Sequence, residues 1–208
     1  MRIHHLPAAA GLVAIAAIAC APAGPAPVPG DARSAAATSP QDAFWENLSQ
    51  HCGNAYEGVL LRAPEGDTQV DPEARLVVHF RECGDEIIRA PFHIDDDRSR
   101  TWVFFRHGDA LELRHDHRHE DGTEEDNTWY GAVTRDGGTP TRQEFVSERN
   151  GVVFGWRVEI VPGERYTYGT IRGGEWRHHL EFDLTRPVDA PPPPWGHETP
   201  PTGRPTGG

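Results

Sequence analysis

Leu111-Glu112-Leu113-Arg114-His115-Asp116-His117-Arg118-His119-Glu120-Asp121-Gly122 alternates with a period of two. Successive side chains of a strand point to opposite faces, so this is a β-strand running into a turn at Asp121-Gly122. One parity holds Leu111, Leu113, His115, His117 and His119; the other holds Glu112, Arg114, Asp116, Arg118 and Glu120. The first parity begins apolar and is expected to face a core, which carries three imidazoles along the inward line. The second bears charges of alternating sign, the pattern of a solvated face. The inward histidines make this strand the candidate site.

The chain on either side also reads as strands. Upstream, 55–62, 75–83, 86–94 and 100–106 are separated by a loop over 63–73, by Gly84-Asp85 and by the acidic turn Asp95-Asp96-Asp97. His107-Gly108-Asp109 then turns into the histidine strand. Downstream, 127–134, 141–146, 152–161, 165–172 and 175–184 are separated by Asp136-Gly137-Gly138, Pro162-Gly163 and Gly173-Gly174. About nine or ten short strands with tight connections predict an all-β antiparallel meander, either an up-and-down barrel or a two-sheet sandwich. A single short helix precedes them. Ser39 is its N-cap, Pro40 its first residue, and Phe44, Leu48 and Cys52 share a face before Gly53 ends it. One helix, then a meander with Gly58 early in its first strand, is similar in topology to lipocalin-like barrels.

The last strand adds a fourth histidine. Trp176, His178, Leu180, Phe182 and Leu184 share one parity, so His178 is expected inward and His179 outward. His115, His117, His119 and His178 are therefore the candidate ligand-binding residues. Two histidines at i and i+2 plus a third from another strand can also build a three-imidazole site with an open position for a zinc-like divalent metal. At about 3.3 Å per residue, His115 and His119 lie roughly 13 Å apart and cannot share one ion. The candidate metal ligands are accordingly His115, His117 and His178. No second carboxylate or cysteine stands at ligand spacing. The competing reading has no cofactor: neutral histidines hydrogen-bonded in a polar barrel end, or lining a ligand mouth. Trp102, Trp129, Tyr130, Trp156, Tyr166, Tyr168 and Trp176 read as core and cross-strand pairs or as an amphipathic pocket wall. Asp95-Asp96-Asp97 lacks the spacing and closing Glu of a calcium loop. The sequence holds no nucleophile elbow, phosphate loop or dinucleotide fingerprint.

The N-terminus reads as an export signal over 1–19. Arg2 precedes a small, apolar run from Ala8 to Ala19 that is too short to span a bilayer as a mature helix. Ala17-Ile18-Ala19-Cys20 resembles the bacterial lipobox, with Ala17 where Leu is usual, which implies lipidation at Cys20. The same residues also satisfy the A-x-A rule of ordinary signal-peptide cleavage. Export means an oxidising compartment, so Cys52 and Cys83 are expected to pair and Cys20 is left over. Residues 20–38 read as the lipidated Cys and a flexible tether, 39–188 as the β domain, and 189–208 as a disordered, Pro-rich tail. Ala21 after the Cys fits, by resemblance to Gram-negative lipoproteins, the outer membrane facing the periplasm; a soluble periplasmic or secreted protein is the alternative. The formal net charge of the 208 residues is -12, and all 20 basic residues are Arg. Without a basic stripe, nucleic acid is excluded as a partner and the membrane is reached only through a lipid anchor.

Phe44-Trp45, Leu48, Cys52-Gly53-x-Ala55-Tyr56-x-Gly58, Arg98-Ser99-Arg100-Thr101-Trp102 and His115 to Gly122 resemble a group of uncharacterised exported bacterial proteins. The resemblance covers most of the folded domain and implies export but no activity. The leading reading is a non-catalytic small-ligand-binding β module of the cell envelope. The alternatives are a metal-dependent enzyme using a metal-bound water, and a structural or interaction lipoprotein that binds an envelope protein. A ligand-binding barrel predicts a continuous internal cavity, and a solid packed interior would contradict it.

Overall fold

The computed structural model describes residues 38–199. The export segment 1–19, Cys20, the tether as far as residue 37 and the last residues from 200 lie outside the described residues. The chain begins with α1 (Pro40–Ser49) and continues as β1 (Ala55–Arg62), β2 (Leu76–His79), β3 (Glu82–Cys83), β4 (Ile87–Ile94), β5 (Asp97–His107) and β6 (Ala110–His117). β7 (Tyr130–Val133), β8 (Arg142–Arg149), β9 (Val152–Val161), β10 (Arg165–Arg172), β11 (Glu175–Trp176) and β12 (His179–Asp183) complete it.

Ten of these strands form one sheet in the order β7-β6-β5-β4-β2-β1-β12-β10-β9-β8, with β3 beside β4 and β11 beside β10. Every pairing between the named strands is antiparallel, and β12, the last, pairs with β1, the first. The seam lies between the consecutive strands β7 and β8, which meet at the Thr134–Phe145 bridge. The sheet is thus an up-and-down meander curled into a nearly closed barrel, and the sandwich alternative falls away.

The interior is layered, and the register gives the layers. Ile88, Phe104, Leu113 and Ala132 stand side by side on β4 to β7; the next layer is Ala90, Trp102, His115 and Tyr130; the next is Phe92, Arg100 and His117. On the far wall, Ile160, Tyr166, Phe182 and Gly58 form one layer, and Val158, Tyr168, Leu180 and Leu60 the next. Gly58 is required there, because a Cβ would lie 2.4 Å from Cδ1 of Phe182. The first layers are solid core: Ile88, Phe104, Leu113, Ile160, Tyr166 and Phe182 are all 0% exposed. The barrel has a dry end and a polar end.

α1 packs against β8 and β9 and sends Phe44 and Leu48 into the same core. Its start is as expected: Ser39 accepts from the Asp42 amide at 3.0 Å, and Pro40 opens the first turn. The Cys52–Cys83 disulfide ties the turn after α1 to β3. No helix among the described residues is long and apolar enough to cross a membrane.

Four expectations need correction. The strand expected over 175–184 is broken by a bend at Arg177 and His178, so Trp176 faces outward, stacked on His179 at 4.5 Å and lying against Arg157. Val152 and Phe154 share the inward parity of β9 yet are 37% and 38% exposed, at the end of the β8–β9 hairpin. The tail expected to be disordered from 189 is packed as far as it is described. The Val188 amide bonds to the Ala55 carbonyl, Arg98 donates to the Pro193 carbonyl at 2.9 Å, and Arg81 donates to the His197 carbonyl at 2.6 Å. His197 Nε2 lies 2.7 Å from Asp116 Oδ2. A proline-rich segment is already extended, so it loses little entropy on docking, and its free carbonyls suit arginine donors. The strap explains a second surprise. Asp116, on the parity read as solvated, is 1% exposed beneath His197 and Arg118. Burial pushes the Asp116 carboxyl up, but His197 and Arg118 outweigh it and hold it below the usual range.

Candidate functional site

The polar end of the barrel contains a half-open cavity of about 110 Å³. His115, His117 and His178 all line it, joined by Trp102, Tyr130 and Trp156. His119 does not belong to it. β6 ends at His117, the chain turns through His119 to Gly122, and His119 is exposed. The inward line therefore delivers two histidines, and the third comes from the bend before β12, as the parity of Leu180 and Phe182 predicts. That bend needs Gly169 on β10: a Cβ there would lie 1.9 Å from the His178 carbonyl oxygen.

His115 is fully committed. Its Nδ1 lies 3.1 Å from the Tyr130 carbonyl, which can only accept, so Nδ1 carries the proton. Its Nε2 then accepts from the Tyr168 hydroxyl at 2.6 Å. The ring stacks on Tyr130 at 4.7 Å and is 2% exposed. Burial brings its pKa down to about 3, so it is neutral. His117 stands at the mouth, with Nε2 3.0 Å from the Tyr130 hydroxyl and Nδ1 3.7 Å from the Glu125 carboxylate. This row of carboxylate, imidazole and phenol orients the Tyr130 ring. Burial raises the Tyr130 pKa, which disfavours phenolate and argues against nucleophilic use.

His178 is the histidine with a group to spare. The Thr170 hydroxyl accepts the His178 amide at 3.2 Å and stands 2.7 Å from Nδ1. Its own proton has no other acceptor among the described residues, so it goes to Nδ1 and the neutral ring is protonated at Nε2. That Nε2 is buried without a hydrogen-bond partner; the nearest carboxylate oxygen, of Asp67, is 3.4 Å away. Asp67 belongs to the β1–β2 loop, whose Gln69 and Val70 also lie on the cavity wall.

Arg100 was missed in the sequence. It lies on β5 in the parity of Trp102 and Phe104 and lines the cavity beside His117. Arg98 and Arg106 share its parity at the two ends of β5, so only its place directly beside Trp102 set it apart. Its carboxylate partner among the described residues is Asp97, which holds one end of the guanidinium. Tyr166 belongs to the solid core, whereas Trp129 sits in the β6–β7 loop and donates to Glu124 at 2.9 Å.

The three histidines share a cavity without forming a metal centre. Among the described residues no group of three or more His, Cys, Asp or Glu side chains is placed to hold an ion. His115 has no free nitrogen to offer, and liberating one would leave Tyr168 or the Tyr130 carbonyl unpaired in the core.

The buried histidines give a pH dependence with a definite sign. An unfolded histidine takes up a proton near 6.5, whereas folded His115 does so at about 3 and His93, 3% exposed on β4, at about 4. Below 6.5 the unfolded chain binds more protons, so stability is complete above that pH and falls as the pH drops toward 4. The slope is up to about 1.4 kcal/mol per pH unit for each of the two. Asp97 and Asp116, both held below 3.8, contribute only at lower pH. Urea midpoints at several pH values between 7.5 and 4.5 are expected to fall steadily below 6.5. A flat profile over that range would mean these rings are not held neutral.

The chain matches no protein-family model, no curated protein and no solved structure.

Proposed function

We propose that this protein is a small-ligand-binding β-barrel module of the cell envelope, non-catalytic and carried there by an exported, lipidated N-terminus at Cys20. The observation that supports ligand binding is the contrast between the two ends of the barrel. One end is solid aromatic and aliphatic core; the other opens a concave site lined by aromatic rings with a few convergent polar groups. The barrel is not hollow throughout, so the ligand is small. An apolar cavity of about 150 Å³ accommodates benzene. At about 110 Å³ this cavity is smaller than that but half-open, so a single ring would seat partly in it and extend into the mouth.

Phenol tests this reading. Binding to the folded state alone stabilises by about 2.7 kcal/mol at 100 times Kd. The melting temperature of the intact protein is expected to rise with phenol and to saturate. The rise is expected to vanish in Leu60→Trp, which fills the cavity from β1. No rise at millimolar phenol, or an equal rise in the filled variant, would remove the cavity as a ligand site.

A further inference from the structure

We infer that the ligand is an aromatic carboxylate, its ring in the cavity and its anionic group on Arg100. This rests on the reading of the cavity as a ligand site and adds the chemistry of the ligand. The donors and acceptors around the cavity are mostly committed already. The Tyr168 hydroxyl is spent on His115, and both nitrogens of His115 are spent. The Tyr130 hydroxyl meets His117, and Thr170 is committed to His178. What remains facing the cavity is mainly donor in character: the unused N–H groups of Arg100 and the buried Nε2–H of His178, with the Gln69 side-chain amide at the wall offering both a donor and an acceptor. A site with donors to spare suits a ligand that accepts. Arg100 is the only formally charged residue on the cavity wall among the described residues, and its fork matches a carboxylate.

The two donors also set an orientation. β4, β2 and β1 stand between β5, which carries Arg100, and β12, which follows His178, so the donors lie on different walls. Asp67, 3.4 Å from His178 Nε2, repels an anion from that wall. The carboxylate is thereby directed to Arg100, and a neutral acceptor on the ring suits His178. The three nearby acids Asp67, Asp97 and Glu125 already face His178, Arg100 and His117 respectively. The chain's net charge of -12 slows an anion's approach, and at about 0.15 M salt screening confines that effect to about 8 Å.

The experiment compares benzoate with benzamide, nearly equal in shape and different in charge, by NMR titration of the intact protein at physiological salt. Benzoate is expected to bind about 10-fold or more tightly than benzamide, the range of a charge-assisted hydrogen bond over a neutral one. Arg100→Gln is expected to abolish that preference while still binding benzamide, and Arg100→Lys to keep part of it. Equal affinities in the wild type, or a preference that survives Arg100→Gln, would overturn the assignment and leave the cavity a neutral-ring site. Binding of neither probe would overturn this inference together with the ligand-binding reading beneath it.

Discussion

Replacing Cys83 by Ser is expected to destabilise the protein by about 3–4 kcal/mol, the chain-entropy value for a loop of this length. The bond joins residues 31 apart. It holds the turn after α1, itself tied to the Phe80 backbone through Gly53 and Asn54, to β3, a two-residue strand that pairs only at Glu82–Arg89 and Cys83–Ile88. At about 2–4 °C per kcal/mol for a domain of this size, the melting temperature is expected to fall by roughly 6–16 °C. Urea midpoints of the oxidised protein, the reduced protein and Cys83→Ser give the answer. Reduction and substitution are expected to agree, and midpoints indistinguishable from the oxidised protein would show that the crosslink stabilises nothing.

The second large effect belongs to the pair His115 and Tyr168. His115→Leu removes a ring that is 2% exposed and leaves the Tyr168 hydroxyl and the Tyr130 carbonyl buried without partners. Each such group costs about 1–3 kcal/mol, so the variant is expected to lose roughly 2–6 kcal/mol in all. Tyr168→Phe strands only the Nε2 of His115 and is expected to lose less. Because each single change orphans the other residue's polar atom, the double variant is expected to be more stable than the sum of the singles implies, by about 0.5–3 kcal/mol. Strict additivity from a thermodynamic cycle would contradict the 2.6 Å hydrogen bond between them.

The antiparallel meander was legible because period-two patterning is a local signal, whereas its closure into a barrel rather than a sandwich was not. Leu111 and Leu113 fix the inward face of β6, and a parity once fixed carries His115 and His117 with it. Leu180 and Phe182 do the same for His178, even though the strand itself breaks at the bend. Where the element ends, the signal ends with it, which is why His119 fell outside the cavity. Phe154 keeps its parity but leaves the barrel with its hairpin, and no periodicity records where a hairpin outruns its neighbours. Arg100 shares its parity with Arg98 and Arg106, so parity alone did not single it out, and the approach of Asp67 and Gln69 from a loop of no repeating pattern left no signal at all. The strap was hidden for a different reason. Pro191-Pro192-Pro193-Pro194 cannot build a core of its own, and its partners Arg81, Arg98 and Asp116 are distant in sequence.

The proposed ligand gives the three cavity histidines different work: His115 is structural, while His117 and His178 face the ligand. The most direct test is the nitrogen NMR spectrum of the histidine side chains, recorded at neutral pH while benzoate is added. His178 and His117 are expected to shift saturably with one shared dissociation constant, with His178 protonated at Nε2 before addition. His115 is expected to remain a neutral ring protonated at Nδ1 throughout. Histidine signals that ignore the ligand, or a His115 that titrates and shifts with the others, would contradict this division of roles.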